Sequence, residues 1–197
     1  TRKAHNAMKE NGYMVICVTS NPKQYMSQEG NAHVDILCLD EEYKTRTIGY
    51  VAQVVVTQLL ALSISLKRNT ITQSDYDFYI KDAIKGCLNH KTIEDKTLAW
   101  FETNKEQLCS SINFAVYGCD ALWGVALEGA LKIIEIGKTM SIGYELEEGT
   151  HGPTLGFNEK LCVLVMNDGK RENDRAQGLA RFAKGEFGNG FIIGSNP

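Results

Sequence analysis

An α/β fold with parallel sheets is expected from three features of the sequence. Tyr13 to Thr19 and Ile112 to Tyr117 are continuous apolar runs of strand length, the pattern of strands buried on both faces. Each is followed by a segment of helical character, and the strand-then-helix order appears in both halves of the chain. With 197 residues, 43% of them apolar and 23% charged, the composition is that of a chain that buries a core, which excludes low-complexity disorder.

Taken in order, Arg2 to Asn11 suits a helix that Gly12 stops, and the strand Tyr13 to Thr19 follows. Ser20-Asn21-Pro22 marks a turn and a helix start, Val34 to Leu39 supplies a second short strand, and Asp40-Glu41-Glu42 forms an acidic linker. Thr47 to Lys67 has helical composition despite its valines, and Gln73 to Leu108 reads as mostly helical. The pattern then restarts with strand Ile112 to Tyr117, a helix from Leu122 to Ile136, and a polar, glycine-containing loop. Strand Leu161 to Met166, helix Arg171 to Lys184 and strand Gly190 to Ile193 complete it. The expected organisation is two half-sheets on either side of a helical connector: residues 1–70, 71–108 and 109–197. In open parallel sheets ligands sit outside the carboxyl ends of the strands, so the loops after Thr19, Leu39, Tyr117 and Met166 are the places to look.

Twenty-one Lys and Arg against twenty-four Asp and Glu give a net charge of −3, which argues against a nucleic-acid partner. The six cysteines are spread out with no C-x-x-C pair, as in a reduced, cytoplasmic protein. Val51 to Leu66 is interrupted by Gln53, Gln58, Ser63 and Ser65 and is expected to fall short of a membrane span. No hydrophobic leader follows the first residues, and with Thr at position 1 the chain is expected to be an internal piece of a longer protein. The histidines and cysteines lack the spacing of a metal site, so no metal or other cofactor is expected.

The most informative stretch is Ala126-Leu-Glu128-Gly-Ala-Leu-Lys132-Ile-Ile-Glu135. At 3.6 residues per turn Glu128, Lys132 and Glu135 share one stripe, and Leu127, Leu131 and Ile134 another. This stripe is either a solvated face, with an i,i+4 pair contributing about 0.2–0.5 kcal/mol, or a carboxylate base beside a cation. Downstream, His151 is followed by Gly152-Pro153 in a segment expected to be a loop. It reads as a surface histidine or as an imidazole able to protonate an oxygen or a leaving amine.

The run Ala126 to Glu135, with Glu148 and His151-Gly152-Pro153 behind it, resembles the sugar isomerase (SIS) domain family. The resemblance is to the isomerase half of glutamine:fructose-6-phosphate aminotransferases and to fructosamine-6-phosphate deglycases. In that family an Ala-Leu-Glu-Gly-Ala-Leu-Lys-x-x-Glu helix precedes a Glu-x-x-His-Gly-Pro loop, with the glutamate sixteen positions before the histidine, as Glu135 stands before His151. The resemblance implies two three-layer α/β/α SIS domains, each partly present. It also implies a phosphosugar isomerase-type enzyme acting on a ketose 6-phosphate or amino-sugar phosphate, in a homodimer with a composite active site.

On this resemblance Glu135 is the base for the C1/C2 proton and His151 assists ring opening or protonates the leaving group. Glu128, Lys132 and Glu148 serve substrate binding, Thr47-Ile48-Gly49-Tyr50 is a substrate-proximal turn, and Thr1 falls at the end of the phosphate-binding Ser-x-Ser-Gly-x-Ser/Thr loop. Most of that loop, and the tail lysine of the aminotransferases, fall outside the sequence. The family's Gly-x-Gly turn reads Gly118-Cys119-Asp120 here. SIS modules also occur as non-catalytic sugar-phosphate sensors, which have no use for a carboxylate and an imidazole together.

Overall fold

The computed structural model describes residues 1–39 and 41–194, so Asp40 of the acidic linker lies outside the described residues. The chain divides into two compact units, Thr1–Thr92 and Ile93–Pro197.

The first unit opens with helix α1 (Arg2–Glu10). The helix is stopped by a wrapped carboxyl end: Gly12 sits at φ 77° and donates to the Lys9 carbonyl, and the Tyr13 N–H donates to the Met8 carbonyl. This wrap draws Tyr13 out of the expected strand, and β1 is only Ile16–Val18. Helix α2 (Tyr25–Glu29) leads to β2 (Ala32–Val34), parallel to β1 with Cys17 opposite His33. The second strand thus lies earlier than the expected Val34 to Leu39. The Leu37 N–H turns back onto the Asp35 carboxylate at 2.8 Å, with Leu37 at φ 50°, and this side-chain turn ends the extended run.

Helices α3 (Ile48–Lys67) and α4 (Gln73–Leu88) follow and pack on each other. A reciprocal cap starts α4: the Asp75 N–H donates to Thr72 Oγ1 at 3.1 Å, and the Thr72 N–H donates to the Asp75 carboxylate at 2.9 Å. By length and composition α3 is apolar enough to cross a membrane, with mean hydropathy 1.7 over its best window, contrary to the expectation from its interrupting polar residues. A helix apolar all round has the composition of a membrane span or of a helix in a larger core. Helix α5 (His90–Ser110) runs across the division between the units.

The second unit contains β3 (Asn113–Gly118), α6 (Ala121–Gly137), β4 (Met140–Glu145) and α7 (Glu148–His151). A 3-10 turn (Pro153–Gly156), β5 (Leu161–Asn167), α8 (Asn173–Phe187) and β6 (Gly190–Gly194) follow. The four strands form a parallel sheet in the order β4-β3-β5-β6. Alternation along the strands sends Ala115, Tyr117, Val163 and Val165 to one face, where they pack with Leu179, Ala180 and Ala183 of α8. Val116 and Leu164 point to the other face, against Ala126 and Ala130 of α6. The result is a three-layer α/β/α unit, as expected.

Strand β4 corrects the expected loop before Leu161. Its Met140-Ser-Ile-Gly-Tyr-Glu sequence has little strand signature, yet it pairs with β3 along its full length, from Asn113 opposite Met140 to Gly118 opposite Glu145. Gly143 makes this possible, because a Cβ there would lie 2.8 Å from Leu127 Cα of α6. Only a glycine lets the helix backbone come so close.

Candidate functional site

Helix α6 carries three of the expected site residues. Lys132 Nζ lies 2.5 Å from Glu135 Oε2 and 3.2 Å from Glu128 Oε1, so one ammonium bridges two carboxylates that lie a turn to either side of it. All three side chains are partly shielded, at 21–34% exposure, which is more enclosed than a freely solvated charge stripe. The lysine pKa is raised, first by its hydrogen bond to Glu135, with Glu128 adding to the shift and desolvation opposing it. The bridge fixes the Glu135 carboxylate near the carboxyl end of α6. Lys132 also borders an open groove of about 630 Å³ lined mainly by apolar residues such as Trp100, Phe101, Phe114, Ile133 and Leu164. That lining offers little to a polyhydroxylated ligand, so the polar chemistry of this face lies on the bridge itself.

His151 ends a single helical turn, α7, where a loop was expected. The turn forms because the Glu145 carboxylate at the end of β4 accepts the Glu147 N–H at 2.8 Å and the Glu148 N–H at 3.0 Å, satisfying amides that a helix start leaves open. Beneath it lies the Tyr117 ring, fully buried, whose hydroxyl donates to the Gly149 carbonyl at 3.4 Å. Burial and the neighbouring Tyr144 push the Tyr117 pKa well above the ordinary phenol value, so this hydroxyl stays a donor. Glu148 and His151 themselves are exposed.

Glu135 and His151 do not meet within one chain. Glu135 precedes the amino end of β4, and His151 follows its carboxyl end. The five steps along the six strand residues, at about 3.3 Å each, place roughly 17 Å of sheet between them.

The remaining expected residues lie in the first unit. Thr1 stands at the amino end of α1 and makes no side-chain cap. Thr47 precedes α3, where its amide and hydroxyl donate to Glu41 Oε2 at 2.7 and 2.9 Å. The Ile48 and Gly49 amides donate to the same carboxylate at 3.2 and 2.8 Å. These four bonds hold the Glu41 pKa down at about 2, led by the Gly49 and Thr47 amides. Sequence reasoning placed Glu41 in a linker; an acidic residue shortly before an apolar helix was the available signal.

Gly118-Cys119-Asp120 lies at the carboxyl end of β3, beside that of β5, where α6 and α8 leave for opposite faces of the sheet. Asp120 holds φ 48° and ψ −124°, a backbone suited to glycine, and its carboxylate pairs with Arg171 at 2.6 Å. Gly118 has to be glycine, because a Cβ would fall 2.3 Å from the Leu122 carbonyl oxygen. Among the described residues no group of three or more His, Cys, Asp or Glu is placed to hold a metal ion.

No family model matches the chain. It is 23% identical over 184 residues to the isomerizing glutamine–fructose-6-phosphate aminotransferase of Synechocystis sp., covering 93% of this chain and 29% of that protein. To the same enzyme of Chlorobaculum tepidum it is 30% identical over 153 residues, 75% of this chain and 23% of the relative. Among solved structures it superposes on the C-terminal domain of glucosamine–fructose-6-phosphate aminotransferase from Francisella tularensis with a TM-score of 0.86 and 18% identity, covering 97% of this chain and 53% of that one. A protein of Clostridium difficile 630, provisionally assigned as a phosphosugar isomerase, gives a TM-score of 0.89 at 22% identity, over 98% of this chain and 56% of that one. The chain therefore spans under a third of these curated relatives and little more than half of these structures. The expected resemblance to the SIS family is borne out in sequence and in fold.

Proposed function

We propose, for a chain that resembles the isomerase region of glutamine–fructose-6-phosphate aminotransferases and has the fold of phosphosugar isomerases, that it forms part of an enzyme moving a proton between C1 and C2 of a ketose 6-phosphate or an amino-sugar phosphate. The Lys132 bridge carries this reading: it aims a carboxylate, Glu135, from a rigid helix, as a base acting on a carbon beside a carbonyl requires. His151 supplies the proton to the far oxygen or nitrogen. Glu128, Glu148, Thr47 and Thr1 serve substrate binding, with Thr1 beside the phosphate. Residues 1–70 are read as the carboxyl-terminal part of one SIS domain, 71–108 as a helical connector and 109–197 as the amino-terminal part of a second, and the protein as cytoplasmic.

The separation of Glu135 from His151 along β4 gives the reading its assembly. A proton taken from C1 and one delivered to the C2 oxygen lie only a few ångströms apart, so the acid and base of one site come from two copies of the chain. The functional unit is a homodimer with composite sites.

Mixing Glu135→Gln and His151→Ala subunits of the full-length protein tests both points. Each variant alone loses exchange of the C1/C2 proton with solvent deuterium, by about 10²–10⁴-fold for Glu135→Gln. Exchanged mixtures regain part of it, since some hybrid sites hold both intact groups. Retained exchange in Glu135→Gln contradicts the base assignment, and mixtures without recovery contradict the shared site. A sugar-phosphate sensor without catalysis shows saturable fructose 6-phosphate binding and no proton exchange even in the unmutated protein.

A further inference from the structure

The structure assigns Arg175 and Glu147 a place that no motif marks: we propose that they form a bracket holding α7, and with it the His151 imidazole, in its working pose. The proposal rests on the reading of His151 as the acid and makes both residues positioning groups, neither touching substrate.

Four residues make too short a helix to hold its own shape, so the direction in which His151 points is decided by what surrounds α7. Two supports come from below and behind. Tyr117 forms an immobile floor, and Glu145 ties down the Glu147 and Glu148 amides. On the His151 side Thr154 Oγ1 donates to the Thr150 carbonyl at 3.1 Å, a bond from the 3-10 turn that follows, which does not tie α7 to another layer of the fold. Arg175, in the first turn of α8, does: its Nη2 donates to Glu147 Oε2 at 2.7 Å and reaches Thr150 Oγ1 at 3.4 Å. Thr150 is the residue before His151, and its hydroxyl donates to the Glu147 carbonyl at 2.8 Å. One guanidinium therefore grips both ends of the turn. Since β3 lies between β4 and β5 in the sheet, this grip joins the ends of two strands that do not pair with each other.

The ion pair is about half exposed on both sides, 51% and 46%, and such pairs add little to global stability. What it can set is local pose, and this separates the proposal from a merely structural role. In the full-length protein, Arg175→Gln lowers kcat for C1/C2 proton exchange on fructose 6-phosphate roughly two- to five-fold, the range an exposed pair supports. KM and Tm stay at their original values, and amide hydrogen exchange speeds up at Thr150 and His151. The charge swap Glu147→Arg with Arg175→Glu recovers part of both losses, whereas Glu147→Arg alone does not.

Unchanged kcat together with unchanged amide exchange in Arg175→Gln overturns the bracket, and so does a fall in Tm that accounts for the whole loss. The His151→Ala protein separates the two layers of the argument. If it keeps full activity, the acid assignment fails, while the exchange rates of the α7 amides still decide whether Arg175 holds the turn.

Discussion

Replacing Gly149 by alanine puts the seat of the His151 turn under direct load. A Cβ at this position stands 2.3 Å from Tyr117 Cε1 and 2.7 Å from Tyr144 Cβ, where ordinary contacts begin at 3.4 Å, so the Tyr117 ring has to retreat by about 1 Å. It has little room to do so. Tyr117 has no exposed surface, and its ring is flanked by Tyr144 at 5.3 Å and Phe157 at 6.3 Å between centroids. Overpacking of this kind costs about 1–3 kcal/mol. Against it stands the helical preference of alanine over glycine, at most about 1 kcal/mol and less in a single turn. The net expectation is a loss of roughly 1–2 kcal/mol. Gly156 supplies the control in the 3-10 turn that follows, since a Cβ there meets nothing within 4 Å and its φ is not in the left-handed region. Gly156→Ala is expected to be neutral or to stabilise by up to about 1 kcal/mol. Urea unfolding followed by tryptophan fluorescence reports on the right unit, because Trp100 and Trp123 both lie in it. If Gly149→Ala proves as stable as Gly156→Ala, the turn is not seated on the tyrosine ring as described.

Three further outcomes follow from the same geometry. Glu41 has a folded pKa of about 2, below that of an unfolded glutamate, so its contribution is fully present above roughly pH 4.5 and is lost as pH falls toward 2; Glu41→Gln should remove that part of the acid dependence of helix content, and an unchanged acid profile would speak against the clasp on α3. Lys132 has a raised pKa, so its contribution is complete below the ordinary lysine value and is lost as pH rises through the folded one; Lys132→Met should flatten the alkaline limb of a thermal-melt series. Leu146 is fully buried and Leu155 is 91% exposed. Leu146→Ala should therefore destabilise by about 2–5 kcal/mol and Leu155→Ala by less than about 0.5, and similar values from urea titrations would contradict the placement of the core.

Strands β3 and β5 were legible in the sequence because central parallel strands are apolar on both faces and leave an uninterrupted run. Helices α6 and α8 were legible because one face of each must be apolar. The ion bridge on α6 follows from helical spacing alone: positions 128, 132 and 135 share a face in any helix. Family resemblance, rather than spacing, marked Glu135 and His151 as a pair.

Tertiary structure decided the rest. Strand β4 is an edge strand whose Gly143 answers to the close approach of α6, a requirement set by residues twenty positions away or less but invisible to local pattern. Strand β1 was shortened and β2 displaced by backbone-capping contacts at Gly12 and Asp35, whose outcome depends on where the neighbouring helix ends. Glu41 became a helix clasp, and Glu145, Glu147 and Arg175 became the frame of α7, because hydrogen bonds between segments up to 28 residues apart depend on three-dimensional placement. The sixteen-residue interval between Glu135 and His151 suggests neighbours when read along the chain. Only the intervening strand, extended at about 3.3 Å per residue, sends them to opposite ends of the sheet.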